Sequence, residues 1–371
     1  MRKTLFWIHL IFGALAGLVI LAMSVTGVLL AFERQMVARA ESHLRASGST
    51  HLPPSQLLPP KATALTLRSD LTAPATVALG REKSLLVDPA TGKSLGEGAT
   101  SLKKFFHVVE DVHRWLAMKR EPGKAITGAS NLLFFFLVLT GVVLWWPRKS
   151  AFVFWFRGGL KGKARDFNWH NVLGFWSAIP LLLIVFSGMA ISYPWVTRLI
   201  YAVAGGQPPR QQQQQQPSRA KGPTGDLDAV WRAAQPELAR TMPDWKSVTF
   251  RLPVPAKGEV SLTVDAGNGA RPDKRATLII DSQTQRITRW ETYAAQEGGR
   301  KARAWLRWIH TGEAGGLPGQ IVAAVASAAA VVLVWTGIAL ALRRFTSWRR
   351  RRAVRQELAF ATRSSHPSHQ Q

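Results

Sequence analysis

Four of the nine histidines in this 371-residue chain recur at matched distances from a hydroxyl residue followed by glycine. His9 lies 17 residues before Thr26-Gly27, and His170 lies 17 before Ser187-Gly188. His113 lies 27 residues before Thr140-Gly141, and His310 lies 26 before Thr336-Gly337. Local context repeats as well. Gly13 follows His9 at +4 and Gly174 follows His170 at +4, while Pro122-Gly123 and Pro318-Gly319 follow His113 and His310, the latter pair one residue closer. Neutral imidazole is a strong iron ligand that needs no thiolate. Cysteine is absent, which removes iron–sulfur clusters, covalently attached CxxCH haem, zinc–thiolate sites, thiol catalysis and disulfides together.

The elements that must position these histidines are membrane spans. Hydrophobic residues make up 47% of the chain and gather into four long runs, approximately Leu5–Phe32, Ile126–Trp146, Val172–Trp195 and Ile321–Leu342. Each suffices for a hydrocarbon core of about 30 Å. The first run resembles a secretion signal, with Arg2 and Lys3 ahead of it and Ala38-Arg39-Ala40 behind it. It is too long for a signal core, and Glu33, Arg34 and Gln35 intervene before the small residues, so it reads as an uncleaved anchor.

The formal charge of +26 first suggests nucleic acid, but the basic residues have a topological explanation. Arg2 and Lys3, the short loop over 148–167 and the tail over 344–371 are strongly basic and flank the spans, with only Asp166 and Glu357 opposing them. The positive-inside rule then places both termini in the cytoplasm and two long loops, 33–125 and 196–320, on the far side. Nucleic acid is accordingly not expected as a partner, and the lipid bilayer is. Gly158–Lys163 lacks the spacing and the Ser/Thr of a phosphate loop, and no GxGxxG follows a strand.

The second far-side loop opens with a Gln- and Pro-rich linker over 196–225, which cannot build a core. Periodicity then predicts a helix over Asp226–Arg240 and strands over Ser247–Leu252, Glu259–Val264, Thr277–Asp281 and Arg286–Trp290, a small α+β domain within 226–295. An interfacial helix is expected over 296–317. The first loop is broken by proline and shows one clear hairpin, Ser84–Val87 followed by Asp88–Gly92, a partial copy of the same unit.

The chain thus reads as an all-α four-helix transmembrane bundle built from two tandem two-span repeats, with small α+β domains on the far side. Two spans per repeat leave both halves in one orientation, with a pseudo-two-fold axis along the membrane normal. His9 and His170 then face each other near the cytoplasmic surface, and His113 and His310 near the far surface. Two such layers suit two bis-histidine b-type haems, their irons about 15–20 Å apart across a core of about 30 Å. Each feature alone has a plainer reading. An interfacial histidine beside tryptophan is usually a headgroup contact, and small residues in spans are packing surfaces. The recurrence of all four favours ligation. His107 is a rival to His113, whereas His43, His51, His366 and His369 fall outside the repeated frame and read as solvated. Trp7, Trp145, Trp146, Trp195 and Trp348 read as interfacial belt residues, and Trp115, Trp305 and Trp308 flank the far-side histidines.

The His9-xxx-Gly13 opening, His113-Arg114-Trp115-Leu116, Trp145-Trp146-Pro147-Arg148 and Ile309-His310-Thr311-Gly312 together resemble the PepSY-associated transmembrane proteins, also called iron-regulated or iron-uptake membrane proteins. Asp226–Trp290 resembles a PepSY domain, and Val87–Gly92 matches the end of such a unit. The resemblance implies a bacterial inner-membrane protein linked to siderophore uptake. Some members are similar to periplasmic ferric-siderophore reductases that hold two b-type haems, with His9, His170, His113 and His310 at the ligand positions.

Three functions compete. The first is a di-haem conduit that reduces ferric iron in a siderophore chelate on the periplasmic side, with electrons from an unidentified donor, a quinol or a partner reductase. The second is an iron or siderophore permease or accessory subunit without redox chemistry; against it, the spans lack a carboxylate or broken helix of the kind that builds a midplane site. The third is a PepSY module that regulates an envelope partner, for which one span would suffice.

Overall fold

A computed structural model describes the chain apart from Ser49, Arg81, residues 147–153, 209–223 and 365–371, and for 358–364 it describes the helical backbone alone. Most of the Gln-rich linker, Pro147-Arg148 of the third family motif, His366 and His369 therefore lie outside the described residues. Among the described residues, four helices are long and apolar enough to cross a membrane: α1 (Arg2–Leu30), which with its short extension α2 (Glu33–Glu41) forms one run, α4 (Arg120–Trp145), α5 (Gly162–Ser192) and α9 (Gly316–Ser364). Between them lie α3 (Thr100–Trp115), α6 (Pro194–Ala204), α7 (Leu227–Thr241), α8 (Gly298–His310) and eight strands.

The chain divides into two compact units. The first comprises Met1–Val28, His113–Phe186 and Ala323–Gln371. Its helices meet through small residues, as expected where lipid removes the hydrophobic drive between helices and packing must hold them. A Cβ on Gly13 would touch Leu137, one on Gly17 would touch Val334 and Ile338, and one on Gly174 would touch Leu333. Leu181, Ala326 and Ala330 form a buried cluster among Phe134, Val138, Ile184 and Leu333. Leu15, Leu18, Ile179 and Val325, by contrast, are largely exposed, an arrangement that suits lipid and not water.

The second unit comprises Leu29–Val112 and Ser187–Val322 and contains one antiparallel sheet of eight strands in the order β4-β3-β2-β1-β5-β6-β7-β8. The strands are β1 (Ala64–Arg68), β2 (Ala75–Ala78), β3 (Ser84–Val87), β4 (Ser94–Glu97), β5 (Ser247–Arg251), β6 (Glu259–Asp265), β7 (Arg275–Asp281) and β8 (Ile287–Thr292). The segments 33–125 and 196–320 thus complete one sheet, and the first, expected to hold a partial copy of the α+β unit with one clear hairpin, contributes four strands. The order is symmetric about the β1–β5 pair, whose central residues Thr66 and Thr249 stand opposite each other with hydroxyls 2.9 Å apart.

Alternation assigns the two faces of the sheet. Leu65, Leu67, Val77, Val248, Phe250, Leu262, Val264, Leu278 and Ile280 point to one side, where α7 covers them with Val230, Trp231, Ala234 and Leu238. Asp226 caps α7 by accepting from the backbone N–H groups of Asp228 and Ala229, which is why this helix starts where it does. Asp281 closes the β7–β8 turn through the N–H groups of Gln283 and Thr284. Asp88 closes the β3–β4 turn through Ala90 N–H and also binds the N–H and hydroxyl of Ser47.

Candidate metal-ligand site

Each of the four histidines meets the hydroxyl of a span. His9 Nδ1 lies 2.9 Å from Thr140 Oγ1, linking α1 to α4. His170 Nδ1 lies 2.9 Å from Thr336 Oγ1, linking α5 to α9. His113 Nδ1 lies 2.9 Å from Thr26 Oγ1, and His310 Nδ1 lies 3.3 Å from Ser187 Oγ. The sequence pairing is therefore crossed: the hydroxyl 17 residues beyond His9 serves His113, and the one 27 residues beyond His113 serves His9. The same exchange relates His170 with Thr336 and His310 with Ser187.

These contacts favour one tautomer. The Thr140, Thr336 and Thr26 hydroxyls each donate to a carbonyl one turn back, those of Phe136, Val332 and Ala22, at 2.7 Å. A hydroxyl has a single proton. With that proton committed to the helix, the oxygen can only accept, so the imidazole Nδ1 carries the hydrogen and donates it. Nε2 is left unprotonated with its lone pair available, the state a metal ligand requires.

The glycine after three of these hydroxyls lies against the ring. A Cβ would stand 3.5 Å from His9 Cε1 at Gly141, 3.4 Å from His170 Cε1 at Gly337 and 3.7 Å from His113 Cε1 at Gly27. The hydroxyl–glycine dipeptide is thus an imidazole cradle as well as a packing surface, a role that residue types alone did not reveal.

His9 and His170 face each other with ring centroids 6.4 Å apart and planes at 84°. Two imidazoles on opposite sides of one metal ion, each with a bond of about 2.0 Å and about 1.1 Å from nitrogen to ring centre, would have centroids about 6.2 Å apart. The spacing fits axial ligation of a single ion. Among the described residues no three His, Cys, Asp or Glu side chains converge as a metal cage.

His113 belongs to the first unit and His310 to the second, and each is held by a hydroxyl of its own unit. His107, the rival, meets no such hydroxyl. Its Nδ1 lies 4.0 Å from Glu110, and its side chain lines a cavity of the second unit. His51, expected to be solvated, lies against Trp231 and Trp245, where burial lowers its pKa.

A feature not anticipated from the sequence lies one turn before His170. The Asp166 carboxylate, 2% exposed, is clamped by Arg165 and Arg343 at 2.9 Å each, tying the start of α5 to α9. The signal was available, because Asp166 is a lone acid in a basic loop. Asn168 holds the preceding segment by donating to Trp155 O and accepting from Arg157 N–H. Trp145, expected in an interfacial belt, stacks on Phe175 with centroids 4.4 Å apart. Trp115 and Trp308 lie under arginines: Arg114 over Trp115 at 4.5 Å, and Arg275 over Trp308 at 5.2 Å.

Four membrane-length helices and a separate antiparallel sheet region define a multi-pass membrane protein. The chain belongs to the PepSY-associated transmembrane family: the model of the PepSY-associated TM region matches residues 6–344. No curated protein matches it.

Proposed function

We propose that this protein is a di-haem electron-transfer protein of the bacterial inner membrane, with both termini cytoplasmic, that reduces ferric iron in siderophore chelates on the periplasmic side. The observation that carries the reading is the His9–His170 pair, with ring centroids 6.4 Å apart and Nδ1 atoms 2.9 Å from the hydroxyls of Thr140 and Thr336. Anchoring an envelope module requires neither feature.

In this reading the spans form a bundle of two tandem two-span repeats. The four crossed histidine–hydroxyl contacts support that duplication. His9 and His170 hold one b-type haem. The assignment of His113 and His310 to the second rests on their matched sequence spacing and on the hydroxyl that orients each. Haem iron held by two imidazoles carries one electron at a time between ferrous and ferric states.

The protein's own residues hold ring orientation and tautomer, so little rearrangement accompanies each transfer. Thr140 and Thr336 accept the Nδ1 hydrogens, Gly141 and Gly337 admit the rings, and the surrounding apolar helices exclude water. Each ferric ion takes one electron and becomes ferrous. A quinol donor would supply two electrons and release two protons; a partner reductase would deliver the same electrons singly. Ferrous iron binds hard oxygen chelators weakly, so reduction releases the metal.

The test is anaerobic mixing of the dithionite-reduced, desalted protein with a ferric chelate in the presence of a ferrous-specific chromophore. Loss of the reduced haem band with one ferrous ion formed per electron supports the proposal. A reduced band that persists over minutes, with no ferrous iron formed, contradicts it.

A further inference from the structure

The second unit contains a cavity of about 670 Å³ on the face of the sheet that α7 does not cover. Strand alternation builds its floor. Leu65, Leu67, Ala75 and Val77 point into the α7 core, so Arg68 and Thr76 point the other way, joined by Leu86, which pairs with Thr76 across β2–β3. Residues of α2, with Lys103 and His107 of α3, complete the lining. The volume falls within the range of about 300–1,000 Å³ usual for small-molecule sites.

The charges in this cavity are unequal. Four permanent cations line it, Arg34, Arg45, Arg68 and Lys103, against two carboxylates, Glu33 and Glu41. Two of the cations are already committed. Arg34 pairs with Glu313 at 3.3 Å and donates to the Asn268 carbonyl, and Lys103 binds Glu41 at 2.6 Å and Ser84 at 2.7 Å. Arg45 and Arg68 make no hydrogen bond or ion pair among the described residues. The carboxylate that feels their charge, Asp70, is itself occupied by the hydroxyl and N–H of Thr72. Two guanidinium groups at one concave site, without a partnered carboxylate, form an anion receptor with bidentate geometry for carboxylate or catecholate oxygens.

We propose that this cavity seats a polyanionic ferric chelate, whose iron is wrapped in carboxylate or catecholate oxygens, with Arg45 and Arg68 as its counter-charges. A cationic chelate, such as a trihydroxamate complex that carries a pendant ammonium, is disfavoured there by the same two charges. The inference rests on the proposed reductase reading for the presence of iron in the ligand, whereas the charge selectivity rests on the cavity alone.

The experiment titrates the full-length protein in detergent with gallium(III) citrate, a redox-inert probe, followed calorimetrically. Wild type is compared with the Arg45→Gln/Arg68→Gln pair, with Arg45→Lys/Arg68→Lys, and with His9→Ala/His170→Ala. The expected results are saturable binding by wild type, at least about tenfold weaker binding by the glutamine pair, partial rescue by the lysine pair, and weakening with salt. A gallium trihydroxamate of net positive charge should bind more weakly than the citrate complex. The histidine variant should lose the His9/His170 haem and keep gallium citrate binding, whereas a wild-type chain without haem that binds gallium citrate would refute the reductase reading while leaving the cavity's assignment standing. No saturable binding, equal affinity of wild type and the glutamine pair, or preference for the cationic chelate would overturn the proposal.

Discussion

Thr336→Val tests the chemistry of the candidate site with little change in its shape. Valine keeps the branched outline and replaces the hydroxyl by a methyl, so the packing around Leu333 and Gly337 is retained. The acceptor 2.9 Å from His170 Nδ1 is lost, and the ring keeps its hydrogen bond to the Leu333 backbone. The loss lies between the net value of one hydrogen bond and the penalty of an unpaired buried donor, about 0.5–3 kcal/mol, which corresponds to roughly two- to 150-fold in an equilibrium constant. Loss of the partner that orients a metal-bound histidine typically weakens metal affinity by about 10–100-fold, and the two ranges overlap. We therefore expect haem titrated into the apo-protein to bind Thr336→Val about 10–100-fold more weakly at the His9/His170 site.

A second readout follows from ligand basicity. Without the acceptor the imidazole donates less charge and ferric iron is less stabilised. The midpoint potential of the haem that remains should rise by about 20–40 mV, the equivalent of 0.5–1 kcal/mol for one electron. Thr336→Ser keeps the oxygen and should restore both values. If haem affinity and potential in Thr336→Val match wild type, the hydroxyl is a packing residue and the tautomer reasoning fails.

Gly337→Val places a branched side chain where even a Cβ comes within 3.4 Å of His170 Cε1, and haem content should fall at least about tenfold. Gly174→Ala, whose Cβ only touches Leu333 at 3.7 Å, should leave it unchanged in the same pyridine haemochrome assay. Asp166→Asn breaks the clamp to Arg165 and Arg343. Because both arginines are about 40% exposed, the loss should be about 1–3 kcal/mol, below the full value for a buried pair, and visible as a lower melting temperature in detergent. Burial would raise the pKa of Asp88, but the N–H groups of Ala90 and Ser47 and the Ser47 hydroxyl outweigh it and hold the carboxyl below its usual range. This stabilisation is present above the unfolded value of about 3.9 and is lost as pH falls through the folded one. Asp88→Ala should therefore lower stability by about 2 kcal/mol at pH 7, with the difference from wild type narrowing below about pH 4 in melts followed by circular dichroism.

Much of this architecture was legible in the sequence because the bilayer imposes strong local signals. The four apolar runs needed no partner to be recognised, and the hydroxyl–glycine pairs at fixed offsets marked the histidines. Asp226 announced α7, and Asp281 and Asp88 announced their turns through the N–H groups they accept. Long-range pairing was not legible. Ala64–Arg68 is a five-residue strand in a proline-rich stretch, and what makes it a strand is its register with Ser247–Arg251, some 180 residues away. The crossed exchange of hydroxyls was hidden for the same reason, since spacing shows that His9 and Thr26 belong to one pattern but not that Thr140 serves His9. The continuation of α9 to Ser364 was read as a separate tail because its arginines mark topology, yet it holds no glycine or proline to stop the helix.

The central claim, that His9, His170, His113 and His310 hold two haems, is tested most directly by haem stoichiometry. Protein produced with ample haem should be purified in detergent, quantified by pyridine haemochrome, and recorded as a reduced-minus-oxidised spectrum. We expect close to two b-type haems per chain, falling to one when His9 and His170 are replaced by alanine and to one when His113 and His310 are. A wild-type chain with no haem, or two haems retained in either double variant, would contradict the assignment.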